Sequence, residues 1–191
     1  KNSRKYEKIK KQLKEIDDEV TDFKLDYMQK HFSTFFVKLL NATEPIVIPE
    51  SPLLEDGTVD SKFQYNYYKK HYWDHFDLKD NRMVRTPIFH GKMEKYLLEY
   101  TPQIPDSIIK SLDVLIEKVR ESEELFKYII NWSTHHFESS KIMGQDAVFV
   151  HLVFTYFITR QTPWIEEVQL TNIIDKAMRI SPNLIGTTAP F

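Results

Sequence analysis

Two histidines four residues apart, His71 and His75, with Asp74 between them, are the nearest approach in the chain to a metal-binding motif. On a helix that spacing sets both rings on one face. Zinc needs a third ligand, and a metalloprotease needs Glu directly after the first histidine, where this chain has Tyr72. An aromatic packing or surface face is the plainer reading, with metal at His71 and His75 as the alternative. His135 and His136 are neighbours, so on a helix their rings diverge by about 100° and chelate poorly together. His151 lies in the apolar run AVFVHLVFTYFIT and reads as a core histidine holding a hydrogen-bond partner. Trp73, Arg82 and Arg85, beside Tyr72 and Asp74, could form a partner-binding patch through cation–π contact or carboxylate pairing. The plainer alternative has the guanidinium groups stitching Asp74, Asp77 or Asp80 across the turn.

Other chemistry is poorly provided for. There is no cysteine, hence no thiol nucleophile and no disulfide within these residues. Only Gly57, Gly91, Gly144 and Gly186 are available, and no Walker loop, dinucleotide fingerprint, nucleophile elbow or EF-hand loop occurs. No carboxylate stands isolated in an apolar run as a raised-pKa acid would, and Asp146 reads as an N-terminal helix charge. The expectation is therefore no catalytic residue and no cofactor.

A chain of 191 residues makes one domain of ordinary size, or one domain plus an arm. Lys and Arg number 26 against 28 Asp and Glu, a balance that argues against a nucleic-acid partner or a polybasic membrane surface. Hydrophobic residues at 41% and aromatics at 14% exclude intrinsic disorder. No stretch reaches the roughly 18–20 apolar residues of a membrane helix. The opening Lys1-Asn2-Ser3-Arg4 lacks Met and a signal-type core, and reads as a piece trimmed from a longer protein.

The elements that would position these residues are helices. Tyr6, Ile9, Leu13, Ile16, Val20, Phe23 and Tyr27 follow 3-4 spacing, and Leu25, Met28, Phe32, Phe35 and Leu39 continue the stripe. One long helix or arm over 1–42 is expected. Its charge is segregated, basic over 1–14 and acidic over 15–26. That pattern reads as a solvated face with pairs such as Glu7–Lys11, or as a self-complementary antiparallel contact in a homodimer through residues 1–40. Residues 43–60, with Pro45, Pro49, Pro52 and Gly57, read as a loop holding a short extended piece at Ile46–Ile48. Asp60 would then cap an aromatic helix over 61–76. Further helices are expected over 89–101, from Pro105, after Ser122, over Ala147–Thr159 despite its high β-propensity, and from Thr162-Pro163. The predicted fold is all-α, an irregular bundle of antiparallel helical hairpins with a long N-terminal helix, its main domain over 61–185.

Four segments carry a resemblance: YKKHYWDHFDLKDNRMVRTPIFHGKMEKYL, SLDVLIEKVRESEELFKYIINW, ESSKIMGQDAVFVHL and the tail SPNLIGTTAPF. In that order they resemble the helical domain of unknown function found directly ahead of a thioredoxin-like domain in TlpA-type proteins of Gram-negative envelopes. The likeness runs from about Leu25 to Phe191. It implies that residues 186–191 open a downstream thioredoxin-like domain, and that any redox motif of the parent, a thiol-disulfide oxidoreductase, lies beyond Phe191. It implies export to the periplasm or outer membrane, with membrane contact only through a lipid anchor outside this chain. No activity is assigned to the helical domain, so no functional residue carries over.

Three functions remain open. The first is a non-catalytic accessory module that positions, dimerises or gives protein-substrate specificity to the thioredoxin-like domain of the same chain. The second is a small-ligand or metal-binding helical domain built on helix 61–76. The third is a self-assembly arm at residues 1–40, compatible with the first.

Overall fold

The computed structural model describes residues 2–185, so the expected domain opening at 186–191 lies outside the described residues. Among those residues the periodic apolar spacing folds as helix throughout. There are eight α-helices and no strand, only an isolated antiparallel bridge between Leu53 and Val59, as the all-α expectation requires. The chain divides into two units. One comprises residues up to Pro45 with Asp74–Phe76; the other comprises Ile46–Trp73 and the residues from Asp77 onward.

In the first unit, α1 (Asn2–Lys30) runs for 29 residues, about 43 Å at the α-helical rise, and α2 (Phe35–Ala42) follows. The single helix expected over 1–42 is therefore interrupted. Thr34 turns to extended backbone, accepts a hydrogen bond on Oγ1 from the Val37 amide at 3.4 Å, and donates to the His31 carbonyl at 2.9 Å. A Thr at this point caps a new helix where periodicity alone continues the old one. Tyr27 meets Phe36 edge to face at 5.7 Å, and Lys24 pairs with Glu44. Val37, Ala42 and Phe76 are buried, whereas residues 5–23 of α1 are exposed without exception.

In the second unit, the loop expected before the aromatic helix is present. Ile46–Ile48 forms no strand; the extended pairing is at Leu53 and Val59, closed by Gly57 at φ 79° and by Asp56, which accepts from Thr58. The helix expected over 61–76 is shorter, α3 (Phe63–His71), followed by Tyr72 and Trp73 in a turn, while Asp74–Phe76 belong to the first unit. Asp60 accepts from the Lys62 amide at 2.9 Å and so closes a turn ahead of the helix instead of capping it. Crowded aromatics have weak helix propensity, and the adjacent Tyr72 and Trp73 rings are both buried, edge to face at 5.2 Å.

A 3-10 turn at Asn81–Arg85 leads into α4 (Pro87–Glu94), which starts two residues before the expected 89–101 helix because Pro87 suits a first turn. It opens into a wide π turn at Lys95–Glu99, whose Tyr96 and Leu97 carbonyls accept from Thr101 Oγ1 at 2.7 Å and Gln103 Nε2 at 2.9 Å. Then come α5 (Pro105–Lys118), which buries Ile108, Leu112, Leu115 and Ile116, and α6 (Glu123–Glu138), which buries Leu125, Phe126, Ile129, Ile130 and Phe137. Ser122 precedes α6, but its hydroxyl donates to Asn81 Oδ1 at 2.7 Å, and that same oxygen accepts from the Glu124 amide at 3.1 Å. The cap is thus supplied by Asn81.

The β-prone run folds as α7 (Asp146–Leu152) and a π turn at Val153–Phe157. Burial is not all-round, since Phe154 and Ile158 are exposed. Arg160, at φ 61°, ends the run in the left-handed region and holds Glu167 through two hydrogen bonds of 2.6 and 2.9 Å. The last helix, α8 (Glu167–Ile180), begins after the expected Thr162-Pro163 start, because Trp164 is drawn off to donate its indole N–H to Asn131 at 3.0 Å. α6 packs on α7, and α7 on α5 and α8, around fully buried Phe137, Phe149 and Phe157.

Candidate functional site

The end of α3 at His71 removes the helical register that would set His71 and His75 on one face. His71 closes the helix and lies 4.2 Å from the Tyr67 ring, whereas His75 stands exposed in the turn beyond. No group of three metal-ligating side chains converges among the described residues.

Tyr72 and Trp73, two of the expected partner-binding residues, are core. Tyr72 donates to the Lys92 carbonyl at 3.0 Å and packs on Tyr96 at 5.4 Å; burial pushes its phenol well above the usual range. Lys92 lies 4.5 Å over the Tyr72 ring and 5.9 Å from Trp73, and burial lowers its ammonium pKa. Asp74 is exposed in the other unit. Arg82 grips Asp80 with both forks, at 2.9 and 2.6 Å, which is the stitching read as the plainer outcome. Arg85 goes elsewhere, to the rim of a groove beside α6.

That α6 groove, about 580 Å³, is lined by Arg85, Glu124, Lys127, Tyr128, Asn131, Trp132 and His135. Behind it, Tyr128 meets His90 Nδ1 at 2.9 Å, and His90 Nε2 faces Glu94 at 3.4 Å. A carboxylate–imidazole–phenol chain resembles a relay, yet burial and Glu94 both raise the Tyr128 pKa. The phenol is held protonated, the reverse of what an activated nucleophile needs. His136 stacks on Trp132 at 4.7 Å, and burial lowers its pKa against the opposing Glu94 charge, with a smaller push from His135.

His151 does find a partner, Asp113 Oδ1 at 2.9 Å, and is half-buried instead of core. Tyr156 approaches the same oxygen at 3.4 Å, and burial, with the Asp113 charge, pushes its phenol up to about 12.

A second groove system lies between α3 and α5. Asn66, Lys69, Lys70, Trp73, Tyr96, Val114 and Lys118 line one part, and Tyr65, Ser107 and Lys110 extend it. Four lysines and no carboxylate line it, in a chain of net charge -2. Lys69 sits 5.8 Å from the Tyr96 ring and its pKa is lowered by burial. The sequence held the signal: Lys110, Val114 and Lys118 are spaced by four on α5, and Lys69-Lys70 close α3.

The largest exposed apolar feature of a single element is α1. Tyr6, Ile9, Leu13, Ile16, Val20 and Phe23 are between 46% and 71% exposed. A family model described as a domain of unknown function (DUF5106) matches residues 1–183. No curated protein and no solved structure matches the chain.

Proposed function

The chain belongs to this family, DUF5106, and we propose that it is a non-catalytic helical accessory module that works through protein–protein contact. The observation carrying this reading is the exposed α1 seam, six large apolar side chains in one row along one helix. Monomeric proteins rarely leave such a row uncovered. Through the segment resemblance, the module stands ahead of a thioredoxin-like thiol-disulfide domain in an exported protein, periplasmic or lipid-anchored at the outer membrane. A bare thioredoxin fold offers little contact surface, and an added helical layer enlarges it. The test joins this chain to such a redox domain and compares reduction rates over several protein disulfides. Substrate-dependent rate changes support the reading, and identical rates for every substrate count against it.

A second reading, a small-ligand domain, is favoured by the lysine-lined groove along α3. Its charge fits an anionic ligand in preference to a metal cation. Titration with a panel of carboxylates and phosphates, read by tryptophan fluorescence in a Trp132→Phe, Trp164→Phe background that leaves Trp73 as reporter, tests it; Lys69→Ala with Lys118→Ala should abolish any change, and silence across the panel removes this reading.

A further inference from the structure

We propose that the partner of the α1 seam is α1 of a second copy, paired antiparallel about a two-fold axis between Lys14 and Glu15. This rests on the interaction-module reading and names the occupant of its contact surface. The seam alternates steps of three and four, the a and d positions of a coiled coil. In an antiparallel pair, an a residue of one helix faces a d residue of the other. Only one register matches the whole seam to itself: Leu13 on the partner's Ile16, Ile9 on the partner's Val20, and Tyr6 on the partner's Phe23. The numbers in each layer add to 29, so every layer occurs twice and no seam residue from 6 to 23 is left over. Tyr27, the next position, is already packed on Phe36.

The flanking charges select the same arrangement. In this register the e positions bring Lys10 to the partner's Asp17, and the g positions bring Lys5 to the partner's Asp26 and Gln12 to the partner's Glu19. No like charges meet. An in-register parallel pair would set Lys5 against the partner's Lys10 and lay basic half on basic half. Its one favourable contact is Glu19 to the partner's Lys24; there Lys24 already pairs with Glu44, as Asp26 in the antiparallel register already pairs with Lys30, so the count of opposed like charges decides between the two. Antiparallel packing also opposes the two helix dipoles. A nucleic acid or an anionic membrane would meet the acidic half as well as the basic one.

The absence of cysteine makes the test clean. The whole chain is examined by light scattering, and Ile9→Cys and Val20→Cys are oxidised singly and mixed. In the proposed register, Ile9 and the partner's Ile9 are offset by about 16 Å along the axis, so disulfide dimers form only in the mixture. A parallel pair would cross-link each variant with itself. Charge gives a second readout on variants whose fold does not depend on the seam. Lys5→Glu with Lys10→Glu, and Asp17→Lys with Asp26→Lys, should each lose the dimer, and mixing the two should restore it. The expected result is a particle of twice the chain mass with mixture-only cross-linking. A monomer throughout, self-cross-linking as fast as mixed, or charge variants that dimerise unchanged would each overturn the proposal. A monomer that still alters redox-substrate choice would remove this partner and leave the module reading intact; a dimer without that effect would do the reverse.

Discussion

α1 and α5 carry the same kind of signal and meet opposite fates. In α5, Ile108, Leu112, Leu115 and Ile116 are fully buried; in α1, Ile9, Leu13 and Ile16 are 46%, 58% and 55% exposed. The stripe on α5 finds α7 and its neighbours within the chain. The seam on α1 is narrower, an a/d row with charge on both flanks, and residues 5–23 are exposed among the described residues. A narrow seam fits one other helix, whereas a wide stripe fits a core of several. Periodicity announces that a face needs cover, and its width says what kind.

The sharpest way to break this contrast is to remove one large side chain from each region. Phe149 is fully buried on α7, so Phe149→Ala should cost about 3–5 kcal/mol in denaturant unfolding. Leu13→Ala, measured on the dissociated chain, should stay within about 0.5 kcal/mol. Equal losses would mean that the seam is covered within the chain and that the contrast is false.

A smaller effect separates an internal cap from periodicity. Asn81 accepts both the Glu124 amide and the Ser122 hydroxyl, so Asn81→Ala should cost about 1–2 kcal/mol. Ser122→Ala should cost less, because Asn81 still caps the amide. If Ser122→Ala costs more, the residue beside the helix is the true cap.

Alkali probes the buried side of the bundle. The Tyr156 phenol is raised to about 12 when folded, against roughly 10 when unfolded. The folded state then holds a proton that the unfolded state has released, so stability is unaffected below pH 10 and falls between about 10 and 12. Tyr68, Tyr72, Tyr96 and Tyr128 are raised as well, so Tyr156→Phe should lessen that fall without abolishing it and remove one late-titrating phenol from the ultraviolet ionisation curve. An unchanged curve would show that Asp113 and burial do not hold this proton.

Helix class, and the faces of α5 and α6, were legible because hydrophobic spacing sums over a dozen residues. The breaks were not. Thr34 interrupts the N-terminal helix through one hydroxyl, Tyr72-Trp73 end α3 by packing, and Trp164 delays α8 through one indole hydrogen bond. Each is a single tertiary or capping contact that no window of residue types can register. The same holds for the candidate sites. His71 and His75 share a face only on a continuous helix, which ends at His71, and Arg82 is satisfied by Asp80 two residues away. The α3–α5 groove was hidden for the opposite reason, since its lysines come from two helices about 40 residues apart in sequence.

The finest comparison lies within α6 itself. Its stripe is apolar except for Ser133 and Thr134, and the Ser133 hydroxyl is fully buried with no hydrogen-bond partner among the described residues. A desolvated hydroxyl costs free energy that an apolar side chain of similar size does not, and alanine is the better helix former. Ser133→Ala should therefore stabilise the chain by about 0.5–1 kcal/mol, read as a shifted urea midpoint with an unchanged slope. A loss of stability would instead place a buried water on that hydroxyl, tying α6 to its neighbours by a polar contact. In that case the bundle face would differ from the α1 seam in hydrogen bonding as well as in width.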